Sequence, residues 1–224
     1  MKKVLQDFVD LVFPNCCPGC DQPLVSGEKY ICTSCDLDLP LFDAKEDILS
    51  YFAGRLELSE ARAYLKFYSA GIAQKLLHHI KYKGDQDLGE FLGTMFINHL
   101  NRDGVFSNID VIIPVPLHKS KLRSRGYNQS EVLAKGMAEV LHITVDSTSV
   151  IRVRKSETQT RKDRAQRWQN VSGIFNVEGK ALEGKNVLLV DDVITTGATL
   201  EACGEVILAA GAGSLSIAAL AAAM

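Results

Sequence analysis

The 224-residue chain lacks any apolar run near the roughly 20 residues that a bilayer-spanning helix needs. Its start, MKKVLQDFVDLVF, carries Asp7 and Asp10 where the apolar stretch of a secretory signal should be uncharged, so the expectation is a cytoplasmic protein with no membrane insertion. Several ligand fingerprints are missing too. Without GxxxxGK[ST] or GxGxxG after a strand, neither a triphosphate P-loop nor a dinucleotide fold has its signature. HExxH and GxSxG are absent, and the five histidines show no metal-ligand spacing. Adjacent His78 and His79 read as packing or surface groups. No internal repeat stands out, and the only biased tract is the alanine-rich end. With 46% hydrophobic and 23% charged residues, the composition is that of a folded protein with a sizeable core rather than a disordered chain.

What is present is unevenly distributed. Net charge is only −2, yet HKSKLRSR (118–125) holds Lys119, Lys121, Arg123 and Arg125 with no acid. The stretch from Arg152 to Arg167 adds seven basic residues against Glu157 and Asp163. These two segments hold 11 of the 25 lysines and arginines, leaving the rest of the chain distinctly acidic. Positive charge gathered this way suits an anionic ligand, although a pair of solvated loops would look similar.

Cysteine is equally localised. Five of the six lie in CCPGC and CTSC, and only Cys203 is elsewhere. Cys17 with Cys20, and Cys32 with Cys35, make two CxxC knuckles of the kind that close a tetrahedral Zn2+ site. A disulfide pair is the alternative, but a reducing compartment disfavours it. Four thiolates leave no open position, so the zinc would be structural, stapling a segment too small for its own core. Cys16 is a spare thiol or a substitute for Cys17. Ahead of the knuckles, Val4, Leu5, Phe8, Val9, Val12 and Phe13 recur at helical spacing and predict a helix that docks on the main domain. The linker is expected after Pro40.

From about residue 45 strands and helices alternate. RAYLKFY (62–68), DVIIPVP, TSVIRV, GIFNV, VLLV and SLSIAAL read as strands, DVIIPVP being cut off by Pro114 and Pro116. Helices are predicted around Ile72–Ile80 and closed by Gly84, around Leu88–Phe96, around Leu133–Leu141, and from Leu200 to Ala210. Such alternation with continuous apolar strands predicts an α/β protein, a parallel sheet with helices on both faces.

In VLLVDDVITTGATL, Asp191 and Asp192 follow an apolar strand, where ligands of parallel sheets sit. Thr195, Thr196, Gly197, Ala198 and Thr199 then open a helix, whose free N–H groups and partial positive charge suit a phosphate. Neighbouring strand residues point to opposite faces, so the two acids serve one ligand only if the chain turns there. A phosphate at the loop, with hydroxyls or a metal at the acids, describes a sugar phosphate.

That stretch resembles, without gaps, the phosphoribosyl pyrophosphate (PRPP) signature of type I phosphoribosyltransferases. Together with the N-terminal knuckles, RSRGYNQSEVLA and TQTRKDRAQRWQNVSGIF, the chain is similar over nearly its full length to the ComF (competence protein F) family. The resemblance implies a zinc-ribbon module (1–44) on a type I phosphoribosyltransferase fold (45–224, with a hood at about 45–85 and a core at about 86–224). It implies ribose hydroxyls at Asp191 and Asp192, directly or through Mg2+, and the 5-phosphate at Thr195–Thr199. Lys121, Arg123 and Arg125 would face pyrophosphate, and Arg154, Arg161 and Arg164 would belong to a loop closing over the site. A nitrogen nucleophile would displace pyrophosphate at C1, the acceptor being chosen by residues near Ala61–Asp85. Lys81 and Lys83 are either anion contacts or surface charges. A second class of function stays open: a protein of DNA uptake that holds single-stranded DNA through the basic segments, with Tyr127 and Trp168 stacking on bases, and that works with other competence or DNA-processing proteins.

Overall fold

The computed structural model describes residues 14–43, 46, 48–100, 104–154 and 173–223. The expected N-terminal helix, Arg161, Arg164 and Trp168 lie outside the described residues.

Five parallel strands form the centre: β1 (Glu60–Phe67), β2 (Val111–Pro114), β3 (Thr144–Val145), β6 (Asn186–Ile194) and β7 (Ser214–Ala223), in the order β1-β7-β6-β2-β3. Every pairing is parallel. The helices are α1 (Thr33–Leu37), α2 (Ile72–His78), α3 (Gln86–Leu100), α4 (Lys119–Arg125), α5 (Gln129–Leu141) and α6 (Ala198–Ala209). β4 (Val150–Arg152) and β5 (Phe175–Val177) pair antiparallel as a separate ribbon that brackets the basic segment. The α/β architecture is the expected one.

Side-chain alternation divides the core in two. Leu188, Val190, Ala218 and Leu220 join the cluster under α2, α3 and α5, while Val187, Leu189, Ile217 and Ala219 join the one under α6. Helices α3 and α5 meet almost backbone to backbone. A Cβ on Gly136 would stand 1.9 Å from the Glu90 carbonyl oxygen, so only glycine fits.

Residues 60–67 form the edge strand of the sheet, paired with β7, where RAYLKFY reads as a strand. One expectation needs correction. Strand β6 runs on to Ile194, so Asp191 and Asp192 lie inside it rather than beyond its end. Asp191 still pairs with Ala219 and Ile194 with Ala222, because the long β7 offers backbone partners that far.

The cysteine segment is not a free appendage. Cys17, Ile31, Cys35 and Leu39 share one apolar cluster with Tyr64, Leu65, Ala73 and Leu76. After Pro40, where a linker was expected, the chain runs beside β1: the Lys66 N–H donates to the Pro40 carbonyl and the Phe42 N–H to the Tyr64 carbonyl.

Candidate functional site

Strand β2 leads through α4 and α5 to β3 on one side, and the chain then crosses to β6 on the other. The carboxyl ends of β2 and β6 therefore flank a topological switch point, the crevice where open parallel sheets bind ligands.

Both aspartates sit there, nearly buried at 8% and 5% exposure. Because β6 stays extended, they diverge. Asp192 Oδ2 lies 3.0 Å from Lys81 Nζ. Asp191 Oδ1 accepts from the Ser130 hydroxyl (3.0 Å) and from the Asp192 N–H (2.8 Å), leaving Oδ2 for a proton or a ligand hydroxyl. Ser130 is placed by Asn128, whose side-chain amide donates to the Val115 carbonyl just past β2 and whose Oδ1 caps α5. Burial, with the neighbouring Asp192 charge, pushes the Asp191 carboxyl up to about 7, despite the amide and hydroxyl bonds that favour its ionised form. A carboxyl held near neutrality can exchange a proton with a ligand.

Lys81 comes from a π-helical turn, His79–Lys83, that prolongs α2 and ends at Gly84. Such turns frequently occur at functional sites. Here the widened turn lets Ile80 stay buried while the neighbouring Lys81 reaches Asp192. Lys81, Tyr82 and Gly84 also line a cavity of about 350 Å3 with Lys121, Ser124 and Arg125 of α4. Lys121 and Arg125 are four apart and share a face of α4; Arg123 does not line the cavity. Of the three expected pyrophosphate contacts, two thus come together and Arg123 faces elsewhere. Arg125 lies 5.5 Å above the exposed Tyr82 ring and donates to Gln129 Oε1.

The turn after β6 forms the other wall. Thr195, Thr196, Ala198 and Thr199 are exposed, and with Asp191, Val193, Gly197 and Leu200 they line a hollow of about 30 Å3. Gly197, at φ +76°, caps α6 in the left-handed region that glycine enters without strain. The turn thus presents the start of a twelve-residue helix to the hollow. A larger cavity, about 990 Å3, opens at the opposite end of the sheet among Glu60, Arg62, Asp110, Asn186 and Ser216. It faces the amino ends of the strands, away from the switch point, and has neither the turn nor the basic helix.

Other expected residues fall as follows. Arg154 is exposed just past β4. Tyr127 is half-buried against the core and donates its hydroxyl to the Ile80 carbonyl, so its ring buttresses the Lys81 turn. Cys203 is buried, its thiol pushed up by burial and by Asp191, which removes it as a nucleophile. Sequence reasoning passed over Ser130 and left Lys81 undecided. The helical spacing of Lys121 and Arg125 was the one signal that could have separated them from Arg123.

The thiols of Cys17, Cys20, Cys32 and Cys35 converge, all four sulfurs lying within 4.8 Å of one another, the one such group among the described residues. The Cys20 and Cys32 sulfurs are 3.6 Å apart, against an edge of roughly 3.8 Å for a tetrahedron with 2.3 Å Zn–S bonds. Burial raises the Cys17 thiol, but N–H groups of Cys32, Gly19 and Cys20 outweigh it and bring it to about 7. Burial and the neighbouring thiols raise Cys35, so the set takes up full negative charge only around a cation. This donor set fits Zn2+. Cys16 is exposed and lies outside the cluster, which leaves Cys17 as the ligand of that pair. Among the described residues no helix is long and apolar enough to cross a membrane.

Residues 127–224, from the tyrosine before α5 through β7, match the phosphoribosyl transferase domain family. The DNA utilization protein YhgH of Shigella flexneri is 30% identical over 145 residues, covering 63% of this chain and 63% of that protein. Competence protein ComFC of Bacillus subtilis is 30% identical over 138 residues, covering 62% of this chain and 54% of that protein. Among solved structures, the glutamine PRPP amidotransferase of B. subtilis is 24% identical, with a TM-score of 0.41 over 58% of this chain and 25% of its own. The part of the chain from α5 to β7 is thus similar to phosphoribosyl transferase domains, and the chain is similar to competence and DNA-utilization proteins, its matches spanning less than two thirds of the length of these relatives.

Proposed function

We propose that the protein binds PRPP with Mg2+ at the switch-point crevice and transfers its phosphoribosyl group to a nitrogen acceptor. The observation that carries this reading is that Lys81, which lines one hollow, pairs with Asp192 while the adjacent Asp191 lines a second hollow of complementary chemistry. On one side is a helix-opening turn for a phosphate; on the other is a cavity lined by Lys81, Lys121 and Arg125 for a more highly charged anion. Between them lie two carboxylates for a sugar's hydroxyls. PRPP has these three parts in that order.

In this reading the amides and hydroxyls of Thr195–Thr199 hold the 5-phosphate. Asp191, which lines the hollow, holds the ribose hydroxyls directly, while Asp192 on the other face of β6 engages them through the waters of Mg2+, a cation suited to carboxylate and phosphate oxygens. Lys121 and Arg125 neutralise the departing pyrophosphate as its bond to C1 breaks and a C–N bond forms. Lys81 pairs with Asp192 until the ligand enters and then turns to pyrophosphate. The thiolate cluster is a structural Zn2+ site of an N-terminal module, residues 1–44, on the 45–224 domain. Thiolates of this kind suit the reducing cytoplasm.

Thermal unfolding with PRPP and Mg2+ tests the reading. At 100 times its dissociation constant a ligand stabilises by about 2.7 kcal/mol, a rise of roughly 5–10 °C for a chain of this size. Asp192→Asn should abolish the shift. No shift at millimolar PRPP would refute the reading.

The alternative, single-stranded DNA held for uptake, is favoured by α4 itself: its lysines and arginines are uncompensated by any acid on that helix, and none of its residues is buried. DNA binding there would fall steeply with salt and survive Asp192→Asn.

A further inference from the structure

The turn that opens α6 is held from outside by a strap that precedes β1. A 3-10 turn, Leu49–Phe52, places the fully buried Phe52 beneath Gly197, where a Cβ would stand only 2.9 Å from the Phe52 ring. Arg55 then crosses the mouth of the helix. Its Nη1 donates to the Thr196 carbonyl (3.2 Å) and pairs with Glu201 Oε2 (2.9 Å), while its guanidinium lies 5.8 Å from the Phe52 ring centre. Leu56 packs one turn further along, where a Cβ on Gly204 would come within 2.7 Å of it.

The Thr196 carbonyl and the Gly197 N–H belong to one planar trans peptide and point in opposite directions. Pulling that carbonyl toward Arg55 therefore turns the Gly197 N–H away from the strap. Glycine at a left-handed position resists a peptide flip weakly, so an external hold has something to do. Glu201 poses a second problem, since a carboxylate in the first turn of α6 repels an anion at the helix start. The same guanidinium neutralises it.

We propose that Arg55 is a positioning residue for anion binding: it fixes the 196–197 peptide with its N–H toward the ligand and masks the charge of Glu201. This rests on the PRPP reading of the turn and names the residue that preorganises it. Arg55 touches neither the sugar nor the pyrophosphate in this scheme. Its side chain is 38% exposed, so its removal leaves the core intact.

The test uses the full zinc-loaded chain, with PRPP and Mg2+ titrated calorimetrically into the wild type, Arg55→Ala, Arg55→Lys and Arg55→Ala with Glu201→Gln. Arg55→Ala should weaken PRPP at least tenfold with little change in the unfolding midpoint. The double variant should recover only part of the loss, because the carbonyl remains unheld. Arg55→Lys, a single ammonium in place of a fork, should fall between. A second readout needs no ligand: 15N relaxation should give lower order parameters at residues 196–198 in Arg55→Ala than in the wild type. PRPP affinity within twofold of wild type in Arg55→Ala would overturn the proposal. So would full rescue by Glu201→Gln with unchanged order parameters, which would reduce the effect to charge alone. A wild type that fails to bind PRPP would sink the functional reading instead, and the relaxation result would then decide whether Arg55 still orders the turn.

Discussion

Replacing Lys81 by methionine tests the centre of the site without touching either carboxylate. The Lys81 side chain is 20% exposed and that of Asp192 8%, so the pair is largely withdrawn from water. Breaking such a pair from one side typically costs 3–5 kcal/mol, because the remaining charge stays buried without a partner. Lys81 retains some solvent in the native pair, which brings the expected loss just below that range, to about 2–3 kcal/mol. Asp192→Asn should cost less, about 1 kcal/mol, since a freed lysine can swing its ammonium into water. The double variant should therefore be no worse than Lys81→Met alone, a coupling of about 1–2 kcal/mol. Urea unfolding of the wild type, the two single variants and the double variant measures all of this. A Lys81→Met loss below about 0.5 kcal/mol, close to the resolution of such measurements, would refute the idea that the Lys81–Asp192 pair supports the fold.

Two other perturbations probe separate parts. Cys20→Ser should remove the metal, normally about one Zn2+ per chain, and impair folding more than site chemistry, because Cys17 and Cys35 belong to the cluster that also holds Leu65 and Leu76; unchanged zinc content and solubility would contradict this. Asp146 closes the turn after β3. Burial raises its carboxyl, but the hydroxyls and amides of Ser149 and Thr148 outweigh that and lower it from 3.8 to about 2. Its contribution is thus present above pH 4 and lost as pH falls toward 2. After discounting for solvent screening, Asp146→Ala should cost about 1 kcal/mol at pH 7 and almost nothing at pH 2, as read by chemical unfolding.

Much of this was legible locally. Apolar runs ended by proline or glycine mark the strands, since backbone propensity and side-chain period are properties of neighbouring residues. The paired knuckles mark four converging thiolates for the same reason: each CxxC fixes two sulfurs by its own turn. The VLLVDDVITTGATL stretch located the turn that opens α6, because a glycine at a positive φ and an open helix start are local features too. What stayed illegible depends on partners far along the chain. Alternation in VLLVDDVI says that Asp191 and Asp192 face opposite ways, yet only the length of β7 decides that the strand continues past them.

Residue order alone therefore determined the α/β alternation, the four-thiolate cluster and the place of the turn that opens α6, each set by contacts within a few residues. Tertiary structure alone decided that Lys81 rather than Lys83 meets Asp192, that Lys121 and Arg125 but not Arg123 enter the cavity, and that Arg55 holds a carbonyl 141 positions away. Those choices depend on which helix lies over which strand end. Packing of the two hydrophobic clusters makes that choice, and no short window of sequence contains it.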